Sequence, residues 1–265
     1  ATEVLYHIDE GEGDVLHDAS GHRRDAAIAG ANWVRPIVNS LGMRLMPIPA
    51  GDFLMGSPDT EASRNPDEGP QHRVIISDPF WLGAYEVTQA DWEAVMGYNN
   101  CDFAPGGESA QLVQNLDTST FPVERVTWFD AISFCNRLSA KEGLPPYYQL
   151  TWNDRGSTHI REAEVEVLGG DGYRLPTEAE WEFACRAGTT GRLYWSSTDL
   201  ISLKAHANML LLQGDGDTKR RISLGRPTNV SQYPANGYGL FDMLGNVHEW
   251  CYDAYDASIY AARQG

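Results

Sequence analysis

The sequence predicts an α+β fold with few helices, short strands and long irregular loops. Three observations predict it. Segments of alternating apolar and polar residues are short and are broken by Gly, Pro and Asn. Helical patterns are few, and each opens on a threonine. Finally, 26 Gly, 8 Trp and 12 Tyr among 265 residues point to turn-rich chain rather than a helical bundle. There is no βαβ alternation, no heptad and no internal repeat, so a doubly wound sheet, a coiled coil and a repeat array are excluded.

Hydrophobic residues make up 42% of the chain, enough for a packed core. The formal net charge is −17, and no basic stripe is visible, so nucleic acid is excluded as a partner. No apolar run approaches the ~20 residues of a membrane span. The start at Ala1-Thr2 without Met fits an exported, processed chain that is secreted, periplasmic or on the cell surface. Cys101, Cys135, Cys185 and Cys251 form no CxxC pair, which argues against a zinc knuckle. Two disulfides and four buried thiols both remain open for them.

Residues 1–34 read as short strands joined by Gly/Asp/Ser turns. The pattern HIDEGEG, DASGH and GANW resembles the opening strands of a laminin-G-like jelly roll. It stops near Val34, so a small β appendage is expected. A second pattern begins at Leu41. MRLMPIPAGDFLMGS and RVIISDPFWLGAYEVT alternate as strands around the polar, Pro-rich loop 58–72. Thr88 caps a helix QADWEAVM that Gly97 stops, with Trp92, Val95 and Met96 on one face. Residues 98–121 form a long loop. Thr127, with Asp130 at the capping-box position, opens a second helix that buries Ile132, Cys135 and Leu138 and ends at Gly143. YYQLTW (147–152) and AEVEVL (163–168) form a hairpin. Thr177 and Glu180 make a capping box for a third helix, with Trp181, Ala184 and Cys185 inward and Gly188 as its C′ residue. Residues 189–230 are expected to be mostly irregular. Arg174 and Glu180 are expected to pair structurally.

The stretch Asn236–Trp250, NGYGLFDMLGNVHEW, combines turn chemistry with residues that want burial. Gly237, Gly239 and Gly245 permit sharp turns, while Leu240, Phe241, Met243, Leu244 and Trp250 belong in a core. Asp242 and Glu249 add carboxylates, and carboxylates with turn carbonyls are what a hard cation such as Ca²⁺ takes as ligands. On these residues alone a buried Gly-Asn turn is the commoner arrangement. No HExxH, G-x-S-x-G or P-loop is present, and His248 is expected to be a packed or surface imidazole.

IPAGDFLMGS, AYEVTQADWEAVMG, FPVERVTWFDAISFCNRLS, GYRLPTEAEWEFACRAGT and NGYGLFDMLGNVHEW resemble, in order, the motifs of the formylglycine-generating enzyme (sulfatase-modifying factor) family. The resemblance assigns residues 41–265 to one such domain, apparently lacking its C-terminal strands. It implies a C-type-lectin-like variant fold and bound calcium. Carried over, Asp242 and Glu249 supply side-chain oxygens and Gly245 and Val247 supply carbonyls. A second calcium site matches at Asn208 and the Met209 carbonyl, with Asp215 or Asp217 completing it.

The resemblance also implies a departure. The family's oxidase holds Cu(I) through two cysteine thiolates, soft ligands for a soft ion. Those cysteines lie beyond the GNxxEW turn, and Cys251, directly after it, is not at either position. Two readings follow. One is a calcium-stabilised, non-catalytic domain that binds a protein or glycan partner. The other is a copper-dependent oxidase that converts a sulfatase cysteine to formylglycine, with the thiol pair on a further C-terminal segment. An iron oxidase of the same superfamily would want a His-rich cluster, which the sequence does not show. Cys135 and Cys185 are expected as buried thiols, a bridge between them being the alternative.

Overall fold

The computed structural model describes residues 35–61, 64–152, 159–195, 200–209, 211–213, 220–222, 224–256 and 260, together with the pairs 15–16 and 26–27. The chain divides into two compact units, 1–37 and 38–265. In the first, β1 (Val15–Leu16) and β2 (Ala26–Ala27) pair antiparallel, Val15 opposite Ala27. The rest of the laminin-G-like stretch lies outside the described residues. β3 (Ile37–Val38) stands at the boundary.

In the second unit, β4 (Arg44–Ile48) pairs antiparallel with β7 (Phe80–Gly83), and β5 (Gly51–Met55) with β6 (His72–Ile76). β8 (Tyr148–Thr151) and β9 (Glu164–Val167) form the hairpin expected from their alternation. Small, separate sheets among three well-capped helices make this an α+β fold, as the broken alternation predicts.

The helices begin where the threonines stand. Thr88, Thr127 and Thr177 each accept from the backbone N–H three residues on, and Asp91, Asp130 and Glu180 reach back to the cap. Each box satisfies two otherwise orphaned donors. α1 (Gln89–Met96) ends at Gly97 in the left-handed region, α2 spans Trp128–Lys141, and α3 spans Glu178–Arg186. Gly188 follows α3 with φ +82°, and Ala187 before it also takes a positive φ.

One departure is the segment 189–230. It contains α4 (Leu200–His206) and the antiparallel pair β10 (Leu211–Gln213) and β11 (Arg220–Ile222). LISLKAH has no strong helical pattern. Its last residue, His206, stacks on Trp195 with ring centroids 4.7 Å apart. Tertiary contact therefore overrides weak local preference there.

The core has three clusters. Ile48, Ile76, Phe183, Ala184, Cys185, Leu240 and Met243 join the strands, α3 and the Gly-rich stretch. Trp92 stacks on Phe134 at 5.2 Å and locks α1 to α2, with Met96 and Leu138. Ile132, Cys135 and Tyr148 join α2 to β8. All four cysteines are free thiols, three buried and Cys251 half-buried, so the bridge between Cys135 and Cys185 is not made.

Candidate functional site

The stretch 236–250 contains no helix or strand; its turns are held by side chains. Asn236 donates to the carbonyls of Ala184 and Cys185, at 2.8 and 3.1 Å, and its Oδ1 accepts from the N–H groups of Tyr238 and Leu240. The first turn is thereby stitched to the end of α3. The Phe241 N–H then donates to the Ala84 carbonyl, which brings the chain alongside Glu86.

A second knot follows. Gly245 has φ +109°, and a Cβ there would stand 2.5 Å from the Asn208 carbonyl oxygen. Only glycine fits, because both the backbone angle and the space exclude a side chain. The same Asn208 oxygen accepts from the Asn246 N–H at 2.7 Å. Asn246 Oδ1 accepts from the Thr228 N–H at 2.9 Å, and Asn208 Nδ2 donates to the Arg226 carbonyl at 3.0 Å. The two sets of predicted calcium ligands, one around Gly245 and one around Asn208, are therefore adjacent. Met209 and Val247 are half-buried beside them. Asp215 and Asp217 lie outside the described residues.

Three carboxylates face this region. Asp242 is 2% exposed and has φ +55°. Its Oδ2 accepts from the Ser231 N–H at 2.6 Å, whereas Oδ1 has no hydrogen-bond partner. Burial pushes its carboxyl up. Glu249 is an exposed residue, yet protein is dense around its carboxyl. Desolvation, aided by the negative charge of Asp242, pushes it up to about 7, and the nearby Trp181 indole opposes this from outside hydrogen-bond geometry. Glu86 is pushed up to about 9 by desolvation first, then by Glu249 and Asp242. Neither Glu86 oxygen has a partner at hydrogen-bond geometry.

These residues fit a hard cation by donor chemistry: buried, unpartnered carboxylate oxygens beside a turn that only glycine can make. A positive charge there would relieve both desolvated and mutually repelling anions. Among the described residues, no three Asp, Glu, His or Cys side chains stand at ligation spacing as they are. Glu86 and Asn246 went unassigned in the sequence. The signal for Glu86 is a lone acid inside the apolar run AYEV; for Asn246 it is the second residue of a Gly-Asn turn.

The remaining candidates lie apart. His248 is exposed. Arg174 and Glu180 pair through two bonds of 2.7 and 2.6 Å and brace the start of α3. The Cys101, Cys135, Cys185 and Cys251 thiols are each pushed up to about 12 by burial. No helix among the described residues is long and apolar enough to cross a membrane.

Comparison with known proteins shows the family of the chain. The chain is 37% identical over 192 residues to the chaperone protein LppX of Paenibacillus barcinonensis, a match covering 68% of this chain and 64% of that protein. It is 44% identical over 232 residues to the formylglycine-generating enzyme of Mycobacterium tuberculosis, covering 78% and 72%. Among solved structures, the Treponema denticola variable protein 1 superposes with a TM-score of 0.61 at 29% identity, covering 84% of this chain and 77% of that one. The chain spans less than two thirds of several curated relatives, 64% of LppX and 58% of two mammalian formylglycine-generating enzymes. The model of the FGE-sulfatase family, described as the sulfatase-modifying factor enzyme 1-like domain, matches residues 39–264, and the chain belongs to that family.

Proposed function

We propose that this chain is a calcium-stabilised domain of the sulfatase-modifying factor type that works as a binding scaffold for a protein or glycan partner, in an exported setting. The observation behind this reading is that Glu86 and Asp242 carry buried, unpartnered carboxylate oxygens and, with Glu249, raise one another's carboxyls beside the turn at Gly245. In it, Asp242 and Glu249 hold the ion by their side chains and Gly245 and Val247 by their carbonyls. Asn208 and Met209 serve a second, adjacent ion. The ion neutralises the carboxylates and pins the chain between α3 and the strand end at Ala84. A chain so pinned can carry long loops without losing register, which suits binding. The name of the relative LppX, a chaperone, agrees with a binding role.

The second reading is a copper-dependent oxidase that converts a sulfatase cysteine to formylglycine. The relative from Mycobacterium tuberculosis bears that enzyme's name. Bound Cu(I) would supply dioxygen activation through a neighbouring thiolate pair. The four cysteines present do not supply that pair. Cys135 and Cys185 are in separate core clusters, Cys101 shares hydrogen bonds with the Glu124 backbone, and acidic neighbours raise Cys251 further. A pair would have to come from other residues of the natural protein.

The decisive experiment uses the natural protein at its full, mass-verified length. It is incubated with Cu(I) and a cysteine-containing sulfatase peptide, and aldehyde is read by hydrazide labelling. The binding reading expects no aldehyde; aldehyde formation overturns it in favour of the oxidase. The ion is tested separately, by melting with calcium and with EDTA. A midpoint unchanged by EDTA rules out a structural calcium, because a ligand of the native state must stabilise it.

A further inference from the structure

The segment that braces Asp242 and Asn246 also lines a recess of about 240 Å³, formed by Leu116, Asp117, Phe121, Arg226, Asn229 and Gln232. Both of its walls are fixed by backbone hydrogen bonds. On one side, the carbonyls of Phe121 and Ser119 accept from the N–H groups of Gln89 and Ala90 at the start of α1, at 2.9 and 3.0 Å. On the other, Thr228 donates to Asn246, Ser231 to Asp242, and Val230 to the Thr120 carbonyl at 2.9 Å. The recess is thus preformed.

Its one cation is held in a definite pose. The Arg226 guanidinium lies 5.8 Å from the centre of the Phe121 ring, and Nη1 donates to the Pro227 carbonyl at 2.9 Å. Arg226 forms no ion pair with a carboxylate among the described residues, although the chain carries 37 acidic residues. One carbonyl bond leaves most of its five N–H donors for a ligand. A fixed guanidinium fork matches a planar carboxylate.

We propose that this recess is a carboxylate-binding site that takes the acidic side chain of a partner peptide. Asn229 and Gln232, both exposed on its rim, carry amides whose donor and acceptor match the peptide groups flanking such a side chain. Leu116, 42% exposed, offers the apolar contact for its methylenes. Asp117 is the opposing charge. Its Oδ1 is tied to the Ser119 N–H at 2.9 Å, and the Ser119 hydroxyl, then that bond, hold its carboxyl below the usual range. It therefore stays anionic and favours a single carboxylate over a multiply charged phosphate. The inference rests on the binding role proposed above but not on the proposed calcium.

The test titrates the whole chain with N-acetyl-glutamate N-methylamide, followed by NMR chemical shifts. Its neutral isostere, N-acetyl-glutamine N-methylamide, and the free carboxylate isovalerate serve as comparison probes. Saturable binding of the glutamate probe is expected, about tenfold tighter than the glutamine probe, because one charged hydrogen-bonded pair separates them. Isovalerate is expected to bind about threefold or more weakly than the glutamate probe, since it lacks the flanking amides. Arg226→Gln should weaken the glutamate probe about tenfold, and Arg226→Lys, which keeps the charge and loses the fork, about threefold. Asp117→Asn should tighten it about threefold. Equal binding of the glutamine probe, indifference to both Arg226 variants, or no saturation by about 50 mM overturns the site. Isovalerate binding as well as the glutamate probe overturns the peptide assignment. Repeating the titration in EDTA separates the two ideas: probe binding with a melting point indifferent to EDTA sinks only the calcium, and the reverse sinks only this recess.

Discussion

At the scale of single residues, Glu86 carries the clearest expectation. Its folded-state carboxyl sits near 9 against an ordinary 4.5, and Glu249 near 7. Raised carboxylates bind protons in the folded state that the unfolded state has released. They therefore stabilise the fold fully below about 4.5, and that stability drains away as pH rises toward 9. In EDTA the melting midpoint should fall from pH 5 to pH 9, and Glu86→Gln should flatten the upper half of that decline. A midpoint equally steep in the variant would show that the loss comes from elsewhere. Gly245→Ala tests the turn itself. A Cβ 2.5 Å from the Asn208 carbonyl at φ +109° should cost about 3 kcal/mol or more, readable by urea unfolding. A cost below about 0.5 kcal/mol would mean that the turn relaxes freely.

At the scale of elements, the threonine boxes were legible because capping depends on three or four adjacent residues. Thr127→Ala should lower stability by about 1 kcal/mol through the lost cap on α2. Replacing Asp130 with Ala should cost more, about 2–4 kcal/mol. That carboxylate is fully buried and serves the Thr127 N–H, the Ile160 N–H at 2.8 Å and His159 Nδ1 at 2.9 Å. Thr127 Oγ1 also donates to the Ile160 carbonyl at 2.7 Å, so equal losses for the two variants, by chemical unfolding, would mean that the Asp130 bonds to His159 and to the Ile160 N–H add nothing beyond what Thr127 supplies. The strands, the β8–β9 hairpin and the inward faces of the helices were legible for the same local reason: alternation and 3.6-residue spacing are written in short windows. α4 and the β10–β11 pair were not. LISLKAH has no strong apolar stripe, and its anchor, the ring of Trp195, is a tertiary contact. The site was half legible. Asp242, Gly245 and Glu249 fall in one stretch. Glu86 joins them from more than 150 residues away, through a backbone bond from Phe241 to Ala84 that no local pattern encodes.

At the scale of the whole molecule, charge dominates. A net −17, joined above about pH 9 by the ionised forms of Glu86, Asp242 and Glu249, makes the ion-free state self-repelling at that pH, where the salt response is to be measured. Added monovalent salt should raise the melting midpoint in EDTA and do so much less in calcium, since the ion has already removed the most expensive repulsion. Equal salt responses in both conditions would place the repulsion away from the site.

The four thiols give the molecule a timekeeper. Cys101, Cys135 and Cys185 are buried, and all four resist ionisation to about 12, so an alkylating reagent finds almost no thiolate in the closed structure. Modification then advances only as fast as the protein breathes open. Cys135 and Cys185, seated in different clusters, report the opening of each separately. Mass spectrometry of their labelling rates, with calcium and with EDTA, would map which part of the interior loosens first.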